Sequence, residues 1–292
     1  AHTEGVANFH DAFASIYEGR YLAGVAAGMK LLELYDNDKD GKISDAEAKI
    51  GYVGAWPYAE VISGYTSFFL GVKSMVSNVT MTVRYTNSWY DETAEKTTAL
   101  KLIDEGCKLI SQHADSMGAP TACEERGIPN VAYNGATGKS TFVVASRINW
   151  VPYFEMAIRA AMNKTAFEGG YDYVGTISSE SVLLTDLGPA AAAGTAEKLA
   201  EVKAKLLDGS LKVSDVSTFT VTDKAQNPFA DFTADEQGHL ITCQADVDFD
   251  EAYAKDHQVI KTENGITYYA ESELRSAPYF DLIIDGITAI VE

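Results

Sequence analysis

The sequence predicts an α/β protein in which a parallel sheet is covered by helices on both faces. Helical patterns alternate with short, apolar, β-branched segments between residues 16 and 148. The helical segments are long enough to cross back over a sheet, as parallel strands require. The chain has 292 residues, of which 46% are hydrophobic, so it can bury a large core.

Each predicted element has its own local signal. Segment 16–35 places Leu22, Val25 and Met29 on one helical stripe, with small residues between them that allow close packing. The strands are rich in β-branched residues, and glycines follow the ends of several helices. The predicted helices are 16–35, 59–76, 92–107, 116–127, 149–165 and 195–211. The predicted strands are 49–55, 79–89, 108–114, 130–136 and 141–148, with short ones near 239–243 and 266–270.

The regular alternation stops near residue 148, where we place a boundary. Residues 1–148 contain the βα repeats, and residues 149–292 begin with a helix and continue as C-terminal segments. Residues 213–275 are polar and rich in turn-forming residues, whereas 279–291 are apolar again. The second part is therefore expected to be less regular than the first.

Charge and composition exclude several classes of function. The net charge is -19, with an isoelectric point of about 4.6. Such an acidic chain lacks the clustered Lys and Arg that bind nucleic acid or an anionic membrane surface. No apolar run is long enough to predict a membrane span. The three cysteines have no metal-ligand spacing, and their odd number excludes a complete set of internal disulfides, so we expect small buried apolar residues.

Residues 36–47, with the sequence DNDKDGKISDAE, have the spacing of an EF-hand calcium loop. Gly41 stands where such a loop turns sharply. The predicted calcium ligands are the side chains of Asp36, Asp38, Asp40 and Glu47 and the backbone carbonyl of Lys42. Because the loop leads into a strand and has no paired partner, we expect a structural Ca²⁺ that clips a helix to a strand. A regulatory calcium and an acidic turn without metal are the alternatives.

The ends of the predicted strands carry the candidate ligand-binding residues, because ligands of parallel sheets bind beyond the carboxyl ends of the strands. Trp89 and Tyr90 offer a stacking surface for a flat ligand. His113 and Asp115 could form an acid/base pair, but no nucleophile is placed to use them, so hydrogen bonding to a ligand is favoured. The candidates at strand ends are Trp56, Trp89, Tyr90, His113, Asp115 and Asn134.

Four segments, in this order and spacing, resemble the basic membrane protein family of solute-binding lipoproteins, which serve ABC importers. They are IYEGRYLAGVAAG, KIGYVGA, VRYTNSWYDETAEKTTALKLIDEGCKLISQHADS and GIPNVAYN. The resemblance runs from about residue 8 to about residue 188. It implies the type I periplasmic-binding-protein fold and binding of a purine nucleoside. Family members carry a first lobe of several βα units ahead of this region, so this chain corresponds to the second lobe plus the crossover segments that contact the first.

The resemblance also implies roles for single residues. Trp89 matches the aromatic residue that stacks on the base, and Asn134 falls where an Asp near the ribose is frequent. His113 and Asp115 match a QHTDS variant of the family. Two further candidates, Arg147 and Trp150, lie where the chain leaves the sheet for the crossover helix; a Lys is common near Arg147. The calcium loop is not a general family feature and replaces a short turn.

These observations together predict an extracytoplasmic solute-binding protein that works with an ABC permease and performs no catalysis. A lipid anchor would be attached upstream of this chain. Two other classes stay open: a ligand-sensing domain of the same fold, and a nucleoside hydrolase that uses His113 and Asp115. Apolar surface facing a first lobe would favour dimerisation wherever that lobe is not in place.

Overall fold

The protein is described by a computed structural model for residue 6, residues 8–248 and residues 254–291. Helices and strands alternate through the first half, which confirms the predicted α/β class. The α-helices in the described part are α1 (Ile16–Tyr35), α2 (Ala59–Lys73), α3 (Glu92–Asp104), α4 (Gly118–Arg126), α5 (Val151–Asn163) and α6 (Thr195–Leu207). None of these helices combines the length and the apolar character needed to cross a bilayer.

The strands of the described residues form one large sheet and three small ones. The strands are β1 (Asp11–Ala14), β2 (Lys49–Gly54), β3 (Thr80–Tyr85), β4 (Ile110–His113), β5 (Asn130–Tyr133), β6 (Phe142–Ile148), β7 (Asp172–Gly175), β8 (Val182–Leu184), β9 (Asp231–Ala234), β10 (Leu240–Ala245), β11 (His257–Gln258), β12 (Ile260–Glu263), β13 (Ile266–Tyr269) and β14 (Ile287–Ile290). The small sheets are the parallel pair β1–β7, the antiparallel group β11–β10–β9 and the hairpin β12–β13.

The large sheet has seven strands in the order β14–β3–β2–β4–β5–β6–β8. Every pair in it is parallel except β6 with β8. β2 is the first of the central strands in the chain, and it lies between β3 and β4. The chain therefore winds outward from β2 in two directions, as in doubly wound α/β folds.

One face of the sheet is covered by α1 and α2, which cross very closely. A Cβ atom added to Gly24 would lie 2.1 Å from the backbone oxygen of Phe68, and one added to Gly71 would lie 2.1 Å from that of Tyr21. The small residues predicted to allow close packing therefore do so. The predicted single stripe on α1 is too narrow, however, because α1 buries 12 of its 20 residues and also packs against α6, β6 and β8.

The opposite face of the sheet is covered by α3 and α4, around a smaller cluster that includes Val53, Leu102 and Ile110. Cys107 and Cys123 belong to this cluster, and Cys243 lies in the main core. All three cysteines are buried free thiols, as predicted. Helices on both faces leave the two ends of the strands as the places where a ligand can reach the sheet.

Both edges of the large sheet are formed by segments from beyond residue 148. β8 closes one edge in the antiparallel direction, and β14 forms the other. The outer side of β14 is occupied by the side chain of Gln226. Its Nε2 donates to the oxygen of Ile287 at 3.4 Å, and its Oε1 accepts from the nitrogen of Ala289 at 3.2 Å. Local sequence patterns predicted neither edge pairing.

α5 stands apart from these layers. None of its residues is buried, although one side of it is apolar. The exposed apolar side chains at and along it are Trp150, Val151, Phe154, Ile158 and Met162. The chain then returns as β7, which among the described strands pairs with β1 alone, 161 residues earlier. α5 and the β1–β7 pair thus make a partial α/β layer beside the complete one.

Candidate solute-binding site

The candidate site lies at the carboxyl ends of β2 to β5, where the winding of the chain reverses between β2 and β4. This is the position at which open α/β sheets bind ligands. Trp89 follows β3, and Asp115 follows β4. The Asp115 nitrogen donates to the Trp89 oxygen at 2.9 Å, so the two loops are joined at their backbones. Both side chains reach the surface, with Trp89 36% exposed.

The loops after β3 and β4 are held by Glu95, a fully buried residue of α3. Its carboxylate accepts hydrogen bonds from the Ser116 nitrogen at 3.2 Å and from the Asp91 nitrogen at 3.2 Å. Asp91 in turn caps α3 by accepting from the Ala94 nitrogen at 2.9 Å. Buried hydrogen bonds to a charged group are strong, so the loops that carry Trp89 and Asp115 are fixed before any ligand binds.

Beneath the surface residues lies a layer of rings. His113, at the end of β4, is completely buried, and its centroid lies 6.2 Å from that of Trp89 and 4.6 Å from that of Tyr133. Arg20 of α1 is also completely buried. Its guanidinium carbon lies 4.2 Å from the centroid of Tyr133, a cation–π arrangement. His113 therefore supports Trp89 from below rather than contacting solvent.

Two carboxylates complete the centre of the site. Oε1 of Glu60, in the first turn of α2, lies 4.0 Å from Nε2 of His113. Burial raises the pKa of Glu60, the charge of Asp115 raises it further, and Arg20 opposes both. Burial also raises the pKa of Asp115, again opposed by Arg20. The two carboxylates thus act on each other and share one buried cation.

Three predicted residues lie on the side of β5 and β6. Asn134 has a left-handed backbone (φ 60°), and its Oδ1 accepts a hydrogen bond from the Ile148 nitrogen at 3.4 Å, which joins the ends of β5 and β6. Arg147 is exposed near the end of β6. Trp150 caps α5, and its ring contacts Tyr153 with centroids 6.2 Å apart.

The last two predicted residues are less closely tied to the centre. Trp56, just after β2, stacks on Tyr58 with centroids 5.7 Å apart and an angle of 8° between the rings. Tyr90 is 66% exposed, next to Trp89 in the chain. The structure thus brings Trp89, His113 and Asp115 together and leaves the other predicted residues around the rim.

Sequence reasoning missed four residues of this site. Glu60 had a usable signal, because it opens the helix that follows the carboxyl end of a strand. Arg20 had a weaker sequence signal, because it is a charged residue inside a helix made mostly of small and apolar residues. The missed residues are Arg20, Glu60, Glu95 and Tyr133.

The predicted calcium loop connects α1 to β2, as expected from the sequence. Carboxylate oxygens of Asp36, Asp38 and Asp40 all lie within 4.8 Å of one another. Asp36 also accepts hydrogen bonds from the nitrogens of Asp40 and Gly41 at 3.1 and 2.9 Å. The Glu47 carboxylate instead accepts from the nitrogen and the hydroxyl of Ser44 at 2.9 and 2.6 Å. Three of the predicted side-chain ligands are thus placed to share a hard cation.

Comparison with known proteins identifies the family. A sequence model of the family described as "ABC transporter substrate-binding protein PnrA-like" matches residues 4–215. A putative ABC transporter glucose-binding protein of Haloferax volcanii is 29% identical over 210 residues, covering 70% of this chain and 49% of the relative. A purine-binding protein of Brucella abortus is 32% identical over 157 residues, covering 52% of this chain and 40% of the relative. The chain thus spans about half the length, or less, of these relatives.

The fold has solved counterparts as well. The crystal structure of an ABC transporter solute-binding protein from Aeropyrum pernix K1 superposes with a TM-score of 0.57 at 15% identity, covering 74% of this chain and 68% of that one. This likeness supports the fold alone, whereas the family match covers most of the chain. The chain therefore belongs to the PnrA-like family of ABC transporter substrate-binding proteins.

Proposed function

We propose that this chain is the second-lobe part of an extracytoplasmic solute-binding protein of an ABC importer, and that it binds a purine nucleoside or a similar aromatic solute without catalysis. The observation that carries the proposal is the grouping of Trp89, Asp115 and Glu60 at the switch point of the sheet. The purine-binding relative supports the class of solute. An ABC permease would be the partner that receives the solute.

In this proposal Trp89 stacks on the base, with His113 and Tyr133 as the packed layer behind it. Stacking of a base on an aromatic side chain contributes about 1–3 kcal/mol. Asp115 and Glu60 accept hydrogen bonds from amino or hydroxyl groups of the solute. The residues proposed for the rim are Trp56, Tyr90, Asn134, Arg147 and Trp150.

The division of the chain at residue 148 is part of the same proposal. Residues 1–148 would form the ligand-binding half, and 149–292 would complete it and contact a first lobe. The exposed apolar side of α5 and the two-stranded β1–β7 sheet support this, because elements of this kind are stable when they pack on a larger sheet. A closing first lobe would then cover Trp89 from the other side. The proposal includes a lipid anchor upstream, and dimerisation through the same apolar side when no first lobe covers it.

The decisive experiment measures binding of adenosine, guanosine, inosine and glucose by titration calorimetry. We expect a purine nucleoside to bind and glucose to bind more weakly. Trp89→Ala should weaken nucleoside binding by roughly tenfold or more, since it removes the stacking surface. Leu34→Ala is the control, because Leu34 is an apolar side chain that is 41% exposed and lies at the C-terminal end of α1, beside the loop that leads into the start of β2.

Three results would contradict the proposal. Tighter binding of glucose than of any nucleoside would replace the solute class with the one named for the Haloferax relative. Equal effects of Trp89→Ala and Leu34→Ala would remove the stacking role. Release of free base from a nucleoside by the wild-type protein, but not by His113→Gln, would make the protein a hydrolase.

We propose separately that Ca²⁺ binds at residues 36–47 and stabilises the connection from α1 to β2. An ion that binds only the folded state raises the melting temperature by mass action. We expect millimolar calcium to raise the melting temperature of chelator-treated protein, and Asp36→Ala with Asp38→Ala to abolish the rise. Lys42→Ala is the control, because its backbone carbonyl is the proposed ligand and remains. No calcium effect on the wild type would reject the site.

A further inference from the structure

The most unusual polar group in the described part of the chain is Arg20. It is completely buried, and its Nη1 donates to the backbone oxygen of Gln112 at 3.0 Å. Its Nε and Nη2 have no hydrogen-bond partner. Buried charged groups are normally paired, so a residue of this kind requires an explanation in terms of what surrounds it.

His113 has a similar environment. It too is completely buried, and neither of its ring nitrogens has a hydrogen-bond partner. A Cβ atom added to Gly64 of α2 would lie 2.6 Å from His113 Nδ1 and 3.8 Å from Arg20 Nε. The two side chains therefore face the same point on α2, where the absence of a side chain leaves them room.

Tyr133 connects the two groups from the other side. Its ring lies 4.2 Å from the Arg20 guanidinium carbon and 4.6 Å from the centroid of His113. Arg20 is also bonded to Gln112, the residue before His113 in β4. The guanidinium of Arg20 thus contacts β4 through the backbone oxygen of Gln112 and β5 through the ring of Tyr133. Both contacts lie behind the surface on which we propose that the solute stacks.

We propose that Arg20 is a positioning residue of the solute site, which fixes the ring of Tyr133 and keeps His113 uncharged behind Trp89. The consequence is that the surface on which the solute stacks stays the same across physiological pH. This consequence rests on the proposed function. An uncharged imidazole packs as a flat ring, whereas an imidazolium in this buried place would have to be hydrated or paired.

The charges around His113 agree with this role. Burial lowers the pKa of His113 well below its ordinary range, and the charge of Arg20 lowers it further. Glu60 at 4.0 Å acts in the opposite direction, since it would favour an imidazolium. The groups that face His113 are Arg20 from α1, Glu60 from α2 and Tyr133 from β5, and Asp115 follows it two residues later in the chain. Arg20 is the cation among them, so it offsets the two carboxylates.

The first test follows the ring of His113 by NMR between pH 4 and pH 8, in solute-free protein with labelled histidine. His113→Gln assigns the signal. We expect the wild-type midpoint to lie below that of a free imidazole, because burial and the charge of Arg20 lower the pKa of His113. Arg20→Gln should move the midpoint upward by about one pH unit or more, while Arg20→Lys stays close to wild type. Arg126→Gln is the control, since it removes an exposed arginine paired with Asp104.

Several results would overturn the proposal. They are a wild-type midpoint near pH 6.5, an Arg20→Gln midpoint no higher than that of the wild type, and an Arg20→Lys signal that matches Arg20→Gln. Because Arg20 is buried, Arg20→Gln can lower the folded fraction. The wild-type titration keeps the proposal open to refutation in that case, because a midpoint near pH 6.5 contradicts it.

A second test uses adenosine as the probe and compares its affinity at pH 8 and pH 5.5. The wild type should differ by less than about twofold, whereas Arg20→Gln should lose more affinity than the wild type at pH 5.5, because a larger fraction of His113 gains a proton. Equal pH profiles in the two proteins would refute the role. If adenosine fails to bind the wild type, the proposed function loses its support, and the NMR titration alone decides on Arg20.

Discussion

Two helices of this protein, α1 and α5, have opposite surroundings. α1 buries 12 of its 20 residues between a sheet and two other helices, whereas α5 buries none of its 13 residues despite an apolar side. Helical stability in proteins comes mostly from packing, not from local propensity. The difference therefore shows that the layer around α1 is complete in this chain and that the layer around α5 is partial.

The largest expected contrast comes from one phenylalanine on α2, the helix that crosses α1, and one on α5. Phe68→Ala should destabilise the protein by about 3–5 kcal/mol, because Phe68 is fully buried. Phe154→Ala, at a position that is 54% exposed, should change the free energy of unfolding by less than ~1 kcal/mol. Chemical denaturation of both variants measures the two values. Similar losses would mean that α5 is packed in solution.

The next contrast concerns the close crossing of α1 and α2. Gly24→Ala should destabilise by about 2–3 kcal/mol, since the new Cβ would meet backbone atoms of α2 that cannot move alone. On α5, Ala161→Gly should have only the effect of lower helix propensity, ~0.5–1 kcal/mol. A tolerated Gly24→Ala would show that the helices can separate without loss. The readout is again the denaturation midpoint.

A smaller contrast between α1 and α5 concerns the pH dependence of the free energy of unfolding. Burial raises the pKa of Glu18 on α1 from 4.5 to about 7, although its carboxylate accepts a hydrogen bond from the Ile177 nitrogen. The folded protein therefore holds this proton more tightly than the unfolded chain does. The stabilisation is complete below about pH 4.5 and is lost as the pH rises through about 7.

Glu18→Gln should remove this pH dependence, which amounts to roughly 2 kcal/mol between pH 5 and pH 8. Glu155→Gln on α5 is the control and should leave the profile unchanged, because Glu155 is exposed to solvent. Thermal melts across the pH range measure both. Parallel profiles for wild type and Glu18→Gln would contradict the assignment.

The smallest effect on stability is expected on the apolar side of α5. Phe154→Ser combined with Ile158→Ser should change the free energy of unfolding by less than ~0.5 kcal/mol, since both side chains are exposed. The same change should reduce the binding of a hydrophobic dye and any association that depends on concentration. Analytical ultracentrifugation of the two proteins tests the second effect. A large loss of stability would reveal a packed partner.

The sequence was a good guide wherever structure depends on neighbours in the chain. The central strands and helices follow from periodicity, and Trp89 and Asp115 were found because carboxyl ends of parallel strands meet at one edge. Arg20 and Glu60 were missed because their roles depend on how α1 and α2 cross. The β1–β7 pair joins residues 161 positions apart, which no local pattern encodes. Likewise, an apolar stripe such as that of α5 predicts a helix but not what covers it.

The residues predicted to bind calcium show the same division. The spacing of Asp36, Asp38 and Asp40 predicted that they would gather, and they do. The position of Glu47 depends on the turn that follows, where its carboxylate is engaged by Ser44. The melting experiment with Ca²⁺ tests whether these carboxylates bind the ion.

The side chain of Gln226 has a consequence for solubility. A sheet ending in an open strand is a template on which another chain can add a strand, and such addition leads to aggregation. Here the amide of Gln226 occupies one donor and one acceptor on the outer side of β14. A single glutamine thus does for this edge what a further strand would do, and growth of the sheet into a second molecule is blocked at those two positions.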